Sequence, residues 1–209
     1  MTTSTRLPAG AAEAIPDAAA SLALLKEGNG RYVAARLVHG DELARQREAC
    51  AGEQQPFAVV LGCSDSRVPP SLVFDQGPGA LFTTRVAGNV AAGPVLASIE
   101  YAVTQLHVPL VLVMGHTRCG AVGACISGAG TGAGHLGSLM ESICPAVESA
   151  RQLPGDLLDN ATRANVRAVV DSIRRSEPLL APLVAAGTVE VVGAMYDLDS
   201  GVVEFLDEP

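Results

Sequence analysis

Residues 57–67, FAVVLGCSDSR, combine a run of apolar and β-branched residues with a polar segment that begins at Cys63. A short apolar run of this kind, bounded by turn-forming residues, is typical of a strand buried on both faces. Residues 110–119, LVLVMGHTRC, repeat the arrangement, with His116 and Cys119 after the apolar run. The two segments predict two buried strands, each followed by side chains that can bind a metal.

Helical patterns lie between and around these strands. The predicted helices are residues 17–28, 41–50, 94–106, 119–127 and 159–186, and the predicted strands are residues 57–61, 81–86, 110–114, 189–195 and 202–205. Asp17 is a suitable N-cap for the first helix, and the segment 28–30, Gly-Asn-Gly, is typical of a helix end. The glycine-rich stretch 127–138 is predicted to be a loop, and Pro178 and Pro182 are predicted to interrupt the last helix.

The order of these elements predicts the fold class. Strands that alternate with helices indicate a parallel sheet with helices on both faces. The turn at residues 199–201, Asp-Ser-Gly, joins the last two strands as a hairpin. We therefore predict an α/β fold with a mostly parallel central sheet flanked by helices and an antiparallel C-terminal edge strand. Residues 1–16 are predicted to form a loose N-terminal arm, and residues 17–209 a single zinc-binding domain.

Composition narrows the classes of partner and compartment. The 209 residues carry a formal net charge of −8, which argues against nucleic acid or an anionic membrane as the main partner. No apolar run approaches the length that spans a bilayer. Residues 1–20 show no apolar stretch flanked by positive charge, so we expect no secretory signal and a cytoplasmic protein. The chain has no Trp, three Tyr and four Phe, so an aliphatic core is expected.

The cysteines favour a metal site over a disulfide framework. Five cysteines, an odd number, are spread through the chain. Cys50, Cys125 and Cys144 have no partner at the spacing of metal ligands. We expect these three to be small buried hydrophobic residues.

Cys63, His116 and Cys119 are the candidate metal ligands. The carboxyl ends of parallel strands meet at one edge of a sheet, so the three side chains can converge there. Two thiolates and one imidazole suit zinc and leave a fourth tetrahedral position for water or substrate. The alternative is two buried cysteines and a chance histidine, but the pairing of H-x-x-C with C-x-D-x-R favours zinc. An open position indicates a catalytic zinc.

Asp65 and Arg67 lie close in sequence to the first ligand and can form a bidentate ion pair. In one interpretation Arg67 holds Asp65 so that its carboxylate orients zinc-bound water. In another, Asp65 binds zinc directly and displaces the water, and both arrangements could exist as open and closed states. An ion pair that only supports the loop is a further alternative.

Together these stretches resemble the β-class carbonic anhydrases. The matching segments are residues 63–69 (CSDSRVP), 74–77 (FDQG), 85–89 (RVAGN), 98–103 (SIEYAV) and 115–122 (GHTRCGAV). They occur in the family's order, and the resemblance extends over residues 24–206. It implies reversible hydration of CO₂ to bicarbonate and a proton, in which hydroxide on a zinc held by Cys63, His116 and Cys119 attacks CO₂, with Asp65 and Arg67 as the orienting dyad.

The resemblance also implies a substrate pocket and an oligomer. Gln54 matches a substrate-facing amide, Val68 an apolar wall, and Gly120 a backbone contact beside the third ligand. Phe82 and Tyr101 match aromatic walls that come from the neighbouring subunit, although as residue types they suit a core equally well. A site shared in this way implies a homodimer or a tetramer of dimers with the active site at the subunit interface.

Other positions set limits on this expectation. Val60 stands where members with a regulatory bicarbonate pocket carry a Trp, so inhibition of that type is doubtful here. His135, in the glycine-rich loop, could relay protons, but a solvated loop histidine is the simpler interpretation. No role is assigned to His39 or His107. Two alternative functions remain: hydrolysis of a CO₂ analogue such as carbonyl sulfide or carbon disulfide, and non-catalytic binding of zinc or bicarbonate.

Overall fold

A computed structural model of the chain describes residues 15–38, 43–129 and 134–206. The helices are α1 Ala18–Val33, α2 Leu43–Ala49, α3 Pro70–Val73, α4 Gly93–Gln105, α5 Gly120–Ser127, α6 Leu136–Ala150, α7 Leu157–Arg174 and α8 Leu180–Ala185. The strands are β1 Ala58–Gly62, β2 Leu81–Arg85, β3 Leu110–His116, β4 Glu190–Tyr196 and β5 Val203–Leu206, and a 3₁₀ turn spans Ala87–Asn89. Residues 1–14 of the predicted N-terminal arm lie outside the described residues. Residues 41–42, at the start of the second predicted helix, and His39 lie outside them as well.

The strands form one sheet in the order β2-β1-β3-β4-β5. The first four strands pair in parallel, and β4 pairs with β5 antiparallel, which confirms the predicted fold class. Every residue of β1 and β3 is buried, because apolar clusters cover both faces of the sheet. The chain leaves β1 towards β2 on one side and later returns to β3 on the other. A switch of this kind opens a crevice at the carboxyl ends of the strands.

The first helix begins as predicted but does not end where the sequence suggested. The Asp17 side chain accepts a hydrogen bond from the third helical residue at 2.8 Å. The prediction that residues 28–30 end the helix was wrong, because α1 continues for three further residues. Gly28 packs against the Phe74 carbonyl, where an added Cβ would lie 1.8 Å from the oxygen. The buried Asn29 amide hydrogen-bonds to the backbone of α3 and of the C-terminal hairpin. These residues make tertiary contacts within the helix.

Helix α6 was not predicted. It follows the glycine-rich stretch and contains Pro145, which weakens the sequence pattern of a helix. The buried side chains of Met140, Ile143 and Val147 nevertheless form one apolar face that packs into the core cluster containing Cys63 and Cys119. The long C-terminal helix is divided near Pro178 as expected, into α7 and α8. No helix among the described residues is long and apolar enough to cross a membrane.

A disulfide joins Cys125 on α5 to Cys144 on α6. This corrects the expectation that both residues are unpaired hydrophobic side chains. Their sequence separation of 19 residues spans the glycine-rich stretch and the unpredicted start of α6. The packing of α5 against α6 brings the two thiols together. Because α6 was not predicted, the pairing could not be predicted either.

We expect this disulfide to stabilise the oxidised protein. Closing a loop of this length restricts the unfolded chain and is worth about 3 kcal/mol. The Cys144→Ser variant should therefore melt roughly 6 to 12 °C lower than the oxidised protein, as measured by calorimetry. Cys50→Ser is the matched control, because Cys50 is a free thiol and its loss should leave the melting temperature unchanged. Titration of five thiols in the unreduced, denatured protein would contradict the pairing.

Candidate metal centre

Three ligand-type side chains converge at the carboxyl ends of β1 and β3. Cys63 directly follows β1, His116 is the last residue of β3, and Cys119 is the N-cap residue of α5. All three are buried, with one candidate ligand atom from each lying within 4.8 Å of the other two. The parallel register of β1 and β3 places their ends side by side. The structure therefore brings together the three residues predicted as ligands.

One nitrogen of the His116 ring is hydrogen-bonded, and the other has no hydrogen-bond partner among the described residues. Its Nδ1 lies 2.9 Å from the Thr117 carbonyl oxygen, which can only accept, so Nδ1–H donates. In the neutral ring the lone pair then lies on Nε2, which is buried without a hydrogen-bond partner. Buried polar atoms are nearly always satisfied. A metal ion bound also by the two nearby sulfurs would be a suitable partner for this lone pair.

Backbone donors favour a thiolate at Cys63. The N–H groups of Asp65 and Gly88 both lie 3.4 Å from its Sγ. A hydrogen bond from Cys119 is the largest cause that lowers the pKa of Cys63. The same hydrogen bond, together with burial, raises the pKa of Cys119 above its usual range. These opposite shifts favour one proton shared by the two sulfurs in the absence of a metal, and a cation would replace it.

The donor set fits a divalent metal. Two thiolates and a neutral imidazole are the ligands of a Cys₂His site, in which three protein ligands leave one tetrahedral position. The Thr117 carbonyl accepts the hydrogen bond from Nδ1 of His116 and so fixes the tautomer of the ring. Metal-bound histidines commonly have such a partner. Within the described residues these three side chains could hold one metal ion.

Asp65 and Arg67 form a forked ion pair beside this cluster. The Arg67 Nε lies 2.9 Å from Oδ1 of Asp65, and Nη2 lies 2.7 Å from Oδ2. The backbone N–H of Arg67 also donates to Oδ1, at 3.0 Å. These bonds from Arg67 hold the pKa of Asp65 well below its usual range. Oδ2 lies 4.0 Å from Nε2 of His116, so an ionised carboxylate borders the metal cluster.

Comparison with known proteins identifies the family. Residues 58–203 match the protein-family model described as carbonic anhydrase. Carbonic anhydrase 2 of Mycobacterium tuberculosis is 39% identical over 180 residues, which cover 85% of this chain and 87% of that protein. The solved structure of a Coccomyxa β-carbonic anhydrase in complex with acetazolamide is 27% identical with a TM-score of 0.72, and the match covers 90% of this chain and 87% of that chain. The chain belongs to the β-carbonic anhydrases.

The carbonic anhydrase of Pseudomonas aeruginosa is a further relative, 36% identical over 77% of each protein. These matches confirm the resemblance and the enzyme class, and reversible hydration of CO₂ is the general reaction of carbonic anhydrases. The predicted α/β fold is that of the β-carbonic anhydrase structures.

The predicted substrate residues of this β-carbonic anhydrase lie in different places. Val68 is buried in the same apolar cluster as Cys63, and Gly120 is the first residue of α5. Gln54 is exposed in the segment before β1. Phe82 and Tyr101 contact each other, with ring centroids 6.1 Å apart.

The aromatic pair does not face the metal cluster of its own chain. Phe82 packs with the apolar cluster on the sheet face opposite Cys63 and Cys119. Tyr101, on α4, keeps half of its surface exposed. The structure of one chain therefore separates this pair from the ligands.

Two contacts to the first ligand segment were missed in the sequence analysis. The Arg85 guanidinium donates to the carbonyl oxygens of Cys63 and Asp65. Gly88, which donates to the Cys63 sulfur, has φ +68° and lies against Ile143, so a side chain would be strained there. The only signal available was that both residues lie in the segment RVAGN, which the family resemblance includes.

Proposed function

We propose that this chain catalyses the zinc-dependent, reversible hydration of CO₂ to bicarbonate and a proton. The observation that supports it most directly is the position of the Asp65 carboxylate. It lies beside a buried Cys₂His cluster, 4.0 Å from the free nitrogen of His116, and Arg67 holds both of its oxygens. A site that only stores metal has no need of an oriented, ionised acceptor at its border.

Cys63, His116 and Cys119 would hold the zinc ion. When bound, zinc supplies a Lewis acid that makes water nucleophilic near neutral pH. Asp65 would accept a hydrogen bond from that water and so direct its lone pair towards CO₂. Because Arg67 keeps the pKa of Asp65 low, the carboxylate would not retain a proton near neutral pH. Its role would be to orient the attacking water. Arg67 thus favours the ionised form of Asp65 and fixes the direction of its carboxylate.

The pocket for CO₂ would be largely apolar, because the substrate has no net charge or dipole. Val68 would form one apolar wall, Gln54 would supply an amide that faces the substrate, and Gly120 would supply a backbone contact beside the third ligand. Phe82 and Tyr101 would line the pocket of the neighbouring subunit. Their separation from the ligands of their own chain and the exposure of Tyr101 support that assignment.

A shared pocket makes the proposed assembly a homodimer or a tetramer of dimers. We further propose a cytoplasmic location and no binding of nucleic acid or membrane. In a reducing compartment Cys125 and Cys144 would be present as thiols, since disulfides persist mainly in oxidising ones. Val60 in place of a Trp argues against regulation by a bicarbonate pocket of the family's type.

Stopped-flow measurement of CO₂ hydration, combined with metal analysis of the same sample, tests the function. We expect one zinc per chain and proton release far above the uncatalysed rate, lost on removal of zinc by a chelator and restored by its return. A rate equal to background in a protein with full zinc content would overturn the proposal. Parallel assays with carbonyl sulfide and carbon disulfide would show whether a CO₂ analogue is preferred.

Zinc affinity should depend on pH in a defined direction. The metal-free sulfur pair keeps one proton, because the pKa of Cys119 is raised while that of Cys63 is lowered. Zinc binds both as thiolates, so binding releases this proton, and the apparent affinity should rise about tenfold per pH unit near neutrality. Chelator competition at several pH values measures the slope. An affinity independent of pH would show that both sulfurs are already ionised.

A further inference from the structure

Arg85 is fixed beside the segment that carries the first ligand. It is the last residue of β2 and lies opposite Gly62 in the parallel register with β1. The ladder continues past it, since the Val86 N–H donates to the Gly62 carbonyl at 3.1 Å. From this position Nε of Arg85 donates to the Cys63 carbonyl at 2.9 Å, and Nη2 donates to the Asp65 carbonyl. One guanidinium thus spans both ends of a three-residue segment.

Asp65 is consequently held at two points by two arginines. Arg67 binds its carboxylate, whereas Arg85 binds its backbone carbonyl. The carboxylate needs to move only a short way to reach the metal cluster, because Oδ2 lies 4.0 Å from Nε2 of His116. A bound divalent cation would attract it across that distance. The two arginines oppose this movement, together with the Val68 N–H, which also donates to the Asp65 carbonyl.

We propose that Arg85 is a positioning residue that keeps the Asp65 carboxylate off the metal and so leaves the fourth ligand position free. Its hydrogen bonds to this segment go to the backbone carbonyls of Cys63 and Asp65. The consequence for catalysis rests on the proposed hydration of CO₂, whereas the consequence for metal coordination does not. Loss of Arg85 removes one of the two hydrogen bonds that the Asp65 carbonyl accepts, leaving the one from the Val68 N–H at 3.2 Å. The segment is then less firmly held, and the carboxylate competes with external ligands for the metal.

Cobalt-substituted protein provides the test at one fixed pH. Thiocyanate, a small anion that binds an open metal position, is titrated while the visible cobalt absorption is followed. In Arg85→Ala we expect thiocyanate affinity to fall about tenfold or more, since two charge-assisted hydrogen bonds are lost. Arg85→Lys, which can still donate to one carbonyl, should lie between this variant and wild type. Thr83→Ala, an exposed position on the same strand, is the matched control and should equal wild type.

In Arg85→Ala we expect thiocyanate affinity and kcat/KM to fall by the same factor. If only a fraction of molecules has a free metal position, apparent anion affinity falls by that fraction. The kcat/KM for CO₂ with zinc should then fall by the same factor, while metal content stays at one per chain. Unchanged thiocyanate affinity in Arg85→Ala would overturn the proposal, as would loss of cobalt, which would show that Arg85 only maintains the ligands. If Arg85→Ala does not fold, Arg85→Lys decides by the same two measurements.

The two proposals fail separately. A wild-type protein without hydration activity would reject the proposed function, yet the thiocyanate series would still decide the role of Arg85. An active wild type with variants that bind thiocyanate normally would reject the role of Arg85 alone.

Discussion

Replacing Cys119 by Ser should abolish stoichiometric zinc binding and lower kcat/KM at least about a thousandfold, because the Lewis acid is lost with its ligand. A serine hydroxyl stays protonated near neutral pH and is a poor ligand for zinc compared with a thiolate. The fold should survive, since Cys119 is the N-cap residue of α5 and Ser is among the preferred residues at that position. The loss of activity would therefore result from the loss of metal binding and not from unfolding.

Zinc content by elemental analysis and hydration by stopped flow check this result on one preparation. Circular dichroism establishes that the helices remain. Cys50→Ser is a control of identical chemistry at a free cysteine outside the cluster, and it should keep one zinc per chain and full activity. A Cys119→Ser protein that retains zinc and the wild-type rate would remove Cys119 from the ligand set and with it the proposed centre.

The sequence predicted the elements that depend on local signals. The apolar runs that became β1 and β3 are buried along their whole length, and an apolar run is visible without knowledge of any partner. Parallel pairing then required only that both strand ends lie at the same edge. The convergence of Cys63, His116 and Cys119 followed from that rule. The spacing of Asp65 and Arg67 likewise suggested a fork that the structure contains.

The errors arose where distant residues decide local structure. Gly28 and Asn29 have the composition of a helix end, but contacts with α3 and the C-terminal hairpin keep them helical. Helix α6 is held by its packing despite Pro145. The Cys125–Cys144 bond requires both α5 and α6 in place. None of these could be inferred from short-range pattern, because each depends on which surfaces meet.

Within the site, the residues missed act through the backbone. Arg85 donates to backbone carbonyl oxygens. Because every residue has such an acceptor, the sequence does not show which ones Arg85 binds. Gly88 contributes an N–H and a positive φ. Side-chain chemistry therefore indicated the candidate ligands and the Asp65–Arg67 pair, whereas the groups that contact their backbone became visible only with the strand register.

Replacing Asp65 by Asn should leave zinc bound at one per chain and lower kcat/KM about a hundredfold. Asn has nearly the same shape, so the neighbouring ligands keep their places, but it lacks the charge that Arg67 holds in a fork. The amide is a weaker acceptor and can present N–H instead of oxygen to the water. Activity and zinc content measured together separate this effect from loss of metal. Asp171→Asn, in an exposed ion pair on α7, should change neither.

The double variant shows whether Asp65 and Arg67 act as a unit. Arg67→Gln alone should also lower kcat/KM, because the carboxylate loses its direction. If orientation of the water is their shared task, the second substitution has little left to remove, and Asp65→Asn with Arg67→Gln should be about as active as the poorer single variant. Losses that multiply would mean that the two residues contribute independently, and would reject the fork as the unit that orients the water.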